Sequence, residues 1–241
     1  MKKNKKTKAP IEILVLFIIL LFKTLNSKMK NITTFIFIFY CSFIFSQQVA
    51  VLKYKGGGDW YVNPTALPNL IQFTNTNSNT LIDTRVKTVT LEDDMINNHP
   101  IIFMTGHGNV FFTNDEATYL KNYLISGGFL HISDNYGLDK YVRRELKKVF
   151  PKNELQEIPN NHPIYNQTFS FPNGLPKIHE HDKKPSQGFG LFYNGRLIVF
   201  YDYESDLNDG WEDAIIHNNP EKTRIEALKM GSNIIEYAFK N

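Results

Sequence analysis

A histidine between two glycines is the first part of this 241-residue chain that could do chemistry. Gly106, His107 and Gly108 come shortly after the apolar stretch Ile101–Met104. Glycine adopts backbone angles that other residues avoid, so this pair permits a tight turn that holds an imidazole at the end of a strand. We predict that His107 is catalytic, as a general base or a metal ligand. The alternative is a structural histidine that is hydrogen-bonded beneath a loop.

A glycine run with a carboxylate follows the first expected strand. The residues are Gly56, Gly57, Gly58, Asp59 and Trp60. Backbone N–H groups in such a run can approach an anion closely, so we predict ligand contacts from Gly57, Gly58, Asp59 and Trp60. The same run also suits a plain flexible turn. Its spacing is not that of the dinucleotide-binding fingerprint, so no nucleotide cofactor is expected.

Six carboxylates fall within twelve residues in the second half of the chain. They are Asp202, Glu204, Asp206, Asp209, Glu212 and Asp213. Paired carboxylates can act as acid and base on a sugar, and Trp60 and Trp211 would then be stacking surfaces. Oxygen ligands can also bind a hard cation, although the spacing differs from a calcium-binding loop. A third reading is a charged surface turn at Asn208–Gly210.

The position of a residue relative to an expected strand decides which of these side chains we select. Ligands of open parallel sheets bind beyond the carboxyl ends of the strands. The predicted catalytic residues are His107, Asp134 and Asp206. The further predicted ligand-binding residues are Asp202, Glu204 and Trp211. For Asp134 the alternative is an Asx turn with Asn135.

A dense polar segment, His179-Glu180-His181-Asp182, lies on an expected loop. In an extended segment His179 and His181 would share one side, a spacing that can chelate a metal ion. The competing reading is a solvated polar loop. The sequence leaves the cofactor unknown, and a divalent metal is the one cofactor that these two histidines suggest.

Alternating strand and helix patterns predict the elements that must position these residues. Strands are expected at 48–55, 86–91, 100–104 and 129–132, with helices from 67, from a Thr113–Glu116 capping box, and over 138–149. Asn194-Gly195 predicts a hairpin between 189–193 and 196–201, and a last helix is expected from Pro220 with Asn219 as its cap. A long structured loop fills 155–184. This order predicts an α/β fold with a mostly parallel sheet and a C-terminal hairpin and helix.

The N-terminal residues read as a hydrophobic leader. Apolar runs at 11–22 and 32–45 are shorter than the roughly 20 residues of a spanning helix, and lysines precede each run. We predict a signal peptide over 1–46, with translation starting at Met29, and a single domain over 47–241. The alternative is an N-terminal membrane anchor, in which case the chain meets the membrane only through an uncleaved leader. Either way the domain is expected outside the cytoplasm, periplasmic or secreted.

Charge and cysteine content exclude several classes of protein. Residues 1–46 hold 8 of the 27 Lys and Arg and 1 of the 24 Asp and Glu, which leaves 19 and 23 and a net charge of about −4. A nucleic-acid partner is therefore not expected. The only cysteine, Cys41, lies in the leader, so the domain has no cysteine nucleophile and no disulfide.

Several ordered motifs resemble the bacterial family called domain of unknown function 4159. They are Gly56–Tyr61 with Asn63-Pro64, Met104–Gly108, Gly127–Leu130, Asp134–Gly137, His162–Tyr165, Leu175–His179, Glu204–Leu207 and Asp209–Asp213. The resemblance implies a class I glutamine amidotransferase-like, or trehalose-utilisation-like, fold, which is a flavodoxin-like three-layer sandwich. In amidotransferases a cysteine follows the central strand. Here Thr105-Gly106-His107 stands in that place, which argues against the amidotransferase reaction.

Two functions from different classes follow from these patterns. The first is an exported domain that binds, and hydrolyses or modifies, a small polar ligand such as a saccharide. Its activity would be hydrolase-like and would use no cysteine. The second is a non-catalytic interaction module of a cell-envelope assembly, with an envelope protein as its partner.

Overall fold

The computed structural model describes Phe17, Ile18 and residues 47–241. Residues 47–241 lie in one compact unit. The expected leader, the start at Met29 and the cleavage point lie outside the described residues, apart from Phe17 and Ile18, which are helical. Within the described part, no helix is both long enough and apolar enough to cross a membrane.

Seven strands form a single mixed sheet. They are β1 (Val49–Leu52), β2 (Lys87–Val89), β3 (Ile101–Gly106), β4 (Phe129–Asp134), β5 (Gln156–Glu157), β6 (Gln187–Tyr193) and β7 (Arg196–Tyr203). Their order is β2-β1-β3-β4-β7-β6-β5. The first five strands in that order are parallel, and β6 and β5 add antiparallel. The parallel part has the 2-1-3-4-5 order of flavodoxin-like folds, with β7 in fifth place, so the predicted α/β class is confirmed.

Helices cover both faces of the sheet and complete three layers. They are α1 (Ala66–Asn77), α2 (Asn114–Ile125), α3 (Asp139–Val149), α4 (Leu207–Trp211), α5 (Ala214–His217) and α6 (Glu221–Lys240), with short 3-10 turns at Asp94–Asn98 and Pro163–Tyr165. Alternate strand residues face opposite cores: Ile101 packs towards α1 and α6, and Ile102 packs towards α2 and α3. Each such fully buried side chain stabilises the fold by roughly 1.5–3 kcal/mol.

Local signals gave good boundaries where one motif controls them. The capping box at the start of α2 is present, because Thr113 accepts a hydrogen bond from the Glu116 N–H and Glu116 accepts one from the Thr113 N–H. The hairpin turns at Asn194-Gly195 as predicted. The start of the last helix differs from the prediction, because its N-cap residue is Pro220. Asn219 lies one residue before that cap, and its side chain bonds to His179 instead.

Candidate functional site

The carboxyl ends of three neighbouring strands lie side by side. Gly106 at the end of β3 pairs with Asp134 at the end of β4, and Ser133 pairs with Asp202 of β7. Segments that leave these strands therefore begin at one edge of the sheet. This edge is where ligands of open parallel sheets bind.

Asp209 is the centre of a polar group at this edge. Its Oδ1 accepts hydrogen bonds from Asn63 Nδ2 at 2.5 Å and from Asn135 Nδ2 at 3.2 Å. His179 Nδ1 lies 2.9 Å from its Oδ2. Four chain segments meet here, and the name Asp209 cluster is used below for the following residues. They are Asn63, Asn135, His179, His181, Asp206, Asp209, Glu212 and His217.

His217 enters the cluster from the short helix α5. Its Nε2 lies 3.6 Å from Asp209 Oδ1 and 3.4 Å from Glu212 Oε2. This nitrogen is buried and makes no hydrogen bond within the described chain. Glu212 Oε1 is held by the N–H and hydroxyl of Thr65 at 3.1 and 3.0 Å. The arrangement leaves this ring nitrogen facing two carboxylates without a hydrogen bond.

Asp206 adds a second buried carboxylate. It stands before α4 in the left-handed region, with a φ of 58°, and its Oδ2 is hydrogen-bonded to His181 Nε2. Its Oδ1 is buried and has no hydrogen-bond partner among residues 47–241. Burial raises its pKa to about 6, since the nearby charge of Asp209 adds to the effect and His181 only partly opposes it. The His181 ring in turn stacks on Tyr136, with the ring centres 4.7 Å apart.

The electrostatics favour a charged pair between His179 and Asp209. The hydrogen bond to Asp209 raises the pKa of His179, and burial opposes this only in part. Burial alone would raise the pKa of Asp209, but hydrogen bonds from His179 and Asn63 more than offset it and lower that pKa. Asn219 Oδ1 accepts from His179 Nε2 at 2.9 Å, which fixes the orientation of the ring.

His107 belongs to a different, exposed pair. Its Nδ1 lies 3.0 Å from Asp59 Oδ2, and the two side chains are 52% and 32% exposed. Asp59 also accepts a hydrogen bond from the His107 N–H. Burial by itself would raise the pKa of Asp59, but these hydrogen bonds lower it. Neither residue hydrogen-bonds to the Asp209 cluster in the described structure, and a catalytic role for His107 stays a prediction.

The glycine run mainly allows the backbone of neighbouring segments to pack closely against it. The Gly58 N–H donates to Asn109 O at 3.0 Å, and a Cβ on Gly58 would lie 2.8 Å from that same oxygen. The Gly58 N–H is therefore already used within the fold, and this contact does not support the predicted role in anion binding. Gly57, with a φ of +89°, has open space around it. Trp60 is half-buried, with Lys53 Nζ 5.4 Å from its ring centre.

Trp211 and Asp202 are interior residues. Trp211 is fully buried and donates from Nε1 to Ala227 O at 2.8 Å. Asp202 is fully buried as well, with its carboxylate 2.7 Å from His131 Nε2 and 3.0 Å from Ser133 Oγ. Neither side chain presents a surface, so their burial does not support the predicted ligand contact. α4 turns Trp211 into the core, and Asp202 points between β4 and α4.

Asp134 and Glu204 line a pocket of about 320 Å³ together with Tyr136. Both oxygens of Asp134 are engaged, one by the Leu138 N–H at 3.1 Å and the other by Tyr201 OH at 3.0 Å. The Leu138 contact lies in the turn before α3, and burial raises the Asp134 pKa. A catalytic role is therefore not supported by its contacts. Glu204 is buried and lies 3.0 Å from Lys177 Nζ.

Sequence reasoning missed most of the polar partners in the cluster. Asn63, Asn135, His217 and Asn219 were not selected, and Asp209 was noted only as one of six carboxylates. His217 could have been selected from its position in the sequence, because it follows Asp209 and Glu212 closely, after a single turn of the chain. Of the predicted residues, His179, His181 and Asp206 lie in the cluster.

Comparison with known proteins shows where the chain belongs. No curated protein shows significant similarity to it. The model of the family described as domain of unknown function (DUF4159) matches residues 48–239, which is nearly the whole described unit. The chain belongs to the DUF4159 family.

Proposed function

We propose that the domain binds a small polar ligand at the Asp209 cluster, with saccharides as the first class to test. One observation carries this proposal. Four of the nine buried side-chain atoms that lack a hydrogen bond in the described chain fall within residues 206–219. They are Asp206 Oδ1, Asn208 Oδ1, His217 Nε2 and Asn219 Nδ2. Folded proteins satisfy most buried polar groups, so this concentration is expected where ligand hydroxyls complete the set.

The side chains in and around the Asp209 cluster suit a sugar. Carboxylate and amide groups can accept from and donate to hydroxyls, and an exposed aromatic face can stack on an apolar ring face. Tyr136 supplies such a face in place of Trp211, since it is 50% exposed and rests on His181. Its φ of +78° is unusual for tyrosine, a kind of strain that clusters at functional sites. His181 and Asp206 are the hydrogen-bonded pair that would act as acid and base if the ligand is hydrolysed.

A thermal-shift screen tests the proposal on the purified protein. The panel contains neutral monosaccharides and disaccharides, amino sugars and uronic acids. A ligand at about 100 times its Kd stabilises the native state by about 2.7 kcal/mol, which raises the Tm of a domain of this size by about 5–10 °C. Ligands that give a shift are then incubated with the protein, and products are followed by chromatography.

Matched variants locate the binding site. Asp206→Asn and Asp209→Asn keep the side-chain shape and remove a charge, so each should reduce the shift strongly. Asp115→Asn, on the exposed first turn of α2, makes the same change far from the cluster in sequence and serves as the control. Equal shifts in all three variants would show that the ligand binds elsewhere.

We also propose that the protein is exported. The support is the pair of apolar runs and their lysine flanks in residues 1–46. Cell fractionation with mass measurement of the N-terminus tests this. A periplasmic or secreted species that starts near Gln47 is expected, and a cytoplasmic full-length chain would refute it.

The second candidate, an interaction module of the cell envelope, is favoured by one surface. Ile215 and Ile216 on α5 are 80% and 53% exposed. Adjacent exposed isoleucines are typical of contact surfaces rather than of sugar sites. If no ligand shifts the Tm, and Ile215→Ser with Ile216→Ser releases the protein from an envelope complex, this function replaces the first.

The relation to class I glutamine amidotransferases is likewise proposed. Its support is the strand order together with the turn after β3, where His107 stands in place of a nucleophilic cysteine. Incubation with glutamine should release no ammonia, because no described side chain is a thiol.

A further inference from the structure

We propose that His179, Asp209 and His217 hold one divalent ion of the zinc class. Each of these residues offers one ligand atom, and the atoms lie within 4.8 Å of one another. His179 Nδ1 lies 2.9 Å from Asp209 Oδ2, and His217 Nε2 lies 3.6 Å from Asp209 Oδ1. Tetrahedral zinc with bonds of about 2.0–2.1 Å places its ligand atoms about 3.3 Å apart, so both contacts lie near that spacing, through different oxygens of Asp209.

The unpaired nitrogen of His217 is an independent sign of a ligand. It is buried, forms no hydrogen bond with any described residue, and faces carboxylate oxygens of Asp209 and Glu212 at 3.6 and 3.4 Å. An unsatisfied buried nitrogen beside two acceptors costs free energy. A cation between the nitrogen and the carboxylate removes that cost, since both then donate electron pairs to the same ion.

The groups behind these side chains fit the same role. Asn219 Oδ1 accepts the Nε2–H of His179, which leaves Nδ1 free of a proton when it binds a metal. Asn63 and Asn135 donate to Asp209 and hold the carboxylate in place. Metal ligands in proteins are normally oriented by such hydrogen bonds.

The ligand set also indicates the class of ion. Two imidazoles and one carboxylate suit zinc and related transition metals better than magnesium or calcium, which prefer all-oxygen sites. Three protein ligands leave a fourth position for water or for a ligand oxygen. Asp206 is beside that set, with Oδ2 3.9 Å from His179 Nδ1 and Oδ1 buried without a partner in residues 47–241. The use of the fourth position rests on the proposed function, whereas ion binding itself does not.

Metal titration of the full protein tests the proposal. The protein is stripped with a chelator and titrated with Zn(II) against a chromogenic competitor, and with Co(II), whose visible absorption reports tetrahedral coordination. One ion per chain is expected. His179→Ala and His217→Ala should each weaken Zn(II) binding by at least about 100-fold, since loss of an outer hydrogen-bond partner alone costs about 10–100-fold.

Two further variants guard against misfolding and adventitious binding. Asn219→Ala removes only the partner of His179, so it should weaken Zn(II) by about 10–100-fold with a circular dichroism spectrum like that of the wild type. His162→Asn is the matched histidine control, because its ring lies against Phe192 and Tyr237 and outside the cluster. Unchanged Zn(II) affinity in both His179→Ala and His217→Ala would overturn the proposal.

The outcome separates metal binding from ligand binding. If the stripped protein still gives a saccharide shift that Asp206→Asn removes, while Zn(II) does not bind, the metal site fails and the proposed function stands. If Zn(II) binds as expected but no saccharide shifts the Tm with or without it, the reverse holds.

Discussion

Two histidine–carboxylate groups stand at the same edge of the sheet, and they differ in every respect that matters for a site. His107 and Asp59 form an exposed pair that is satisfied within itself. Half of the residues in the Asp209 cluster are buried, and the cluster draws on four chain segments and keeps polar atoms without hydrogen bonds in the described structure. A strand-end position is therefore insufficient to mark a site. Convergence together with unsatisfied polar groups is the better criterion.

The largest expected effect contrasts the two carboxylates directly. Asp209→Ala should lower the free energy of unfolding by about 3 kcal/mol. The reason is that the side chains of Asn63, Asn135 and His179 lose the carboxylate to which they are bonded. Asp59→Ala should cost less than about 1 kcal/mol, as expected for an exposed pair. Urea denaturation measures both. Equal costs would break the contrast between a buried cluster and a surface pair.

The next largest effect is expected at Asn63. Its φ is 62°, and its amide donates to Asp209. Asn63→Ala should cost about 2 kcal/mol through strain and a lost hydrogen bond, and Asn63→Gly should cost less because glycine accepts this backbone. Thermal and urea melts compare the two. A larger cost for glycine would mean that backbone conformation at this position is unimportant.

A smaller effect should appear in the pH dependence of the exposed pair. The pKa of Asp59 is lowered in the folded state, so its contribution is present above its unfolded pKa of about 4 and is lost as pH falls through the folded value. The stability difference between wild type and Asp59→Asn should thus shrink between pH 7 and pH 3, and by less than about 1 kcal/mol. A difference that grows towards low pH would contradict this sign.

The smallest expected effect is on metal binding by a His107 variant. His107→Asn should leave Zn(II) affinity within about twofold of wild type, because a distant surface change rarely exceeds 0.5 kcal/mol. A loss of Zn(II) affinity comparable to that of His217→Ala would show that the two groups belong to one site.

Much of the fold was predictable because its signals are local. The Thr113–Glu116 capping box and the Asn194-Gly195 turn each specify a boundary within a few residues. The alternation of strands and helices similarly indicated a parallel sheet with helices on its faces. The strand patterns did not predict the order of the strands across the sheet, in which β7 lies beside β4.

The site was predictable only in part, since its contacts join distant residues. Asn63 and Asp209 are 146 positions apart, and no local pattern relates them. Trp211 misled for a related reason: an aromatic residue among carboxylates looks like a ligand platform, yet α4 places it inside the core. His179, His181 and Asp206, which were predicted as metal ligands and as a catalytic residue, do lie together, and the contact between His181 and Asp206 spans 25 positions.

The wide spacing of the cluster has a consequence for the order of events during synthesis. Its contributors run from Asn63 to His217, with Asn219 behind them, so a chain emerging from the ribosome lacks the complete cluster until His217 has been added. Early fragments therefore cannot capture an ion or a sugar at this place. Occupancy must follow the completion of tertiary structure, wherever in the cell that takes place.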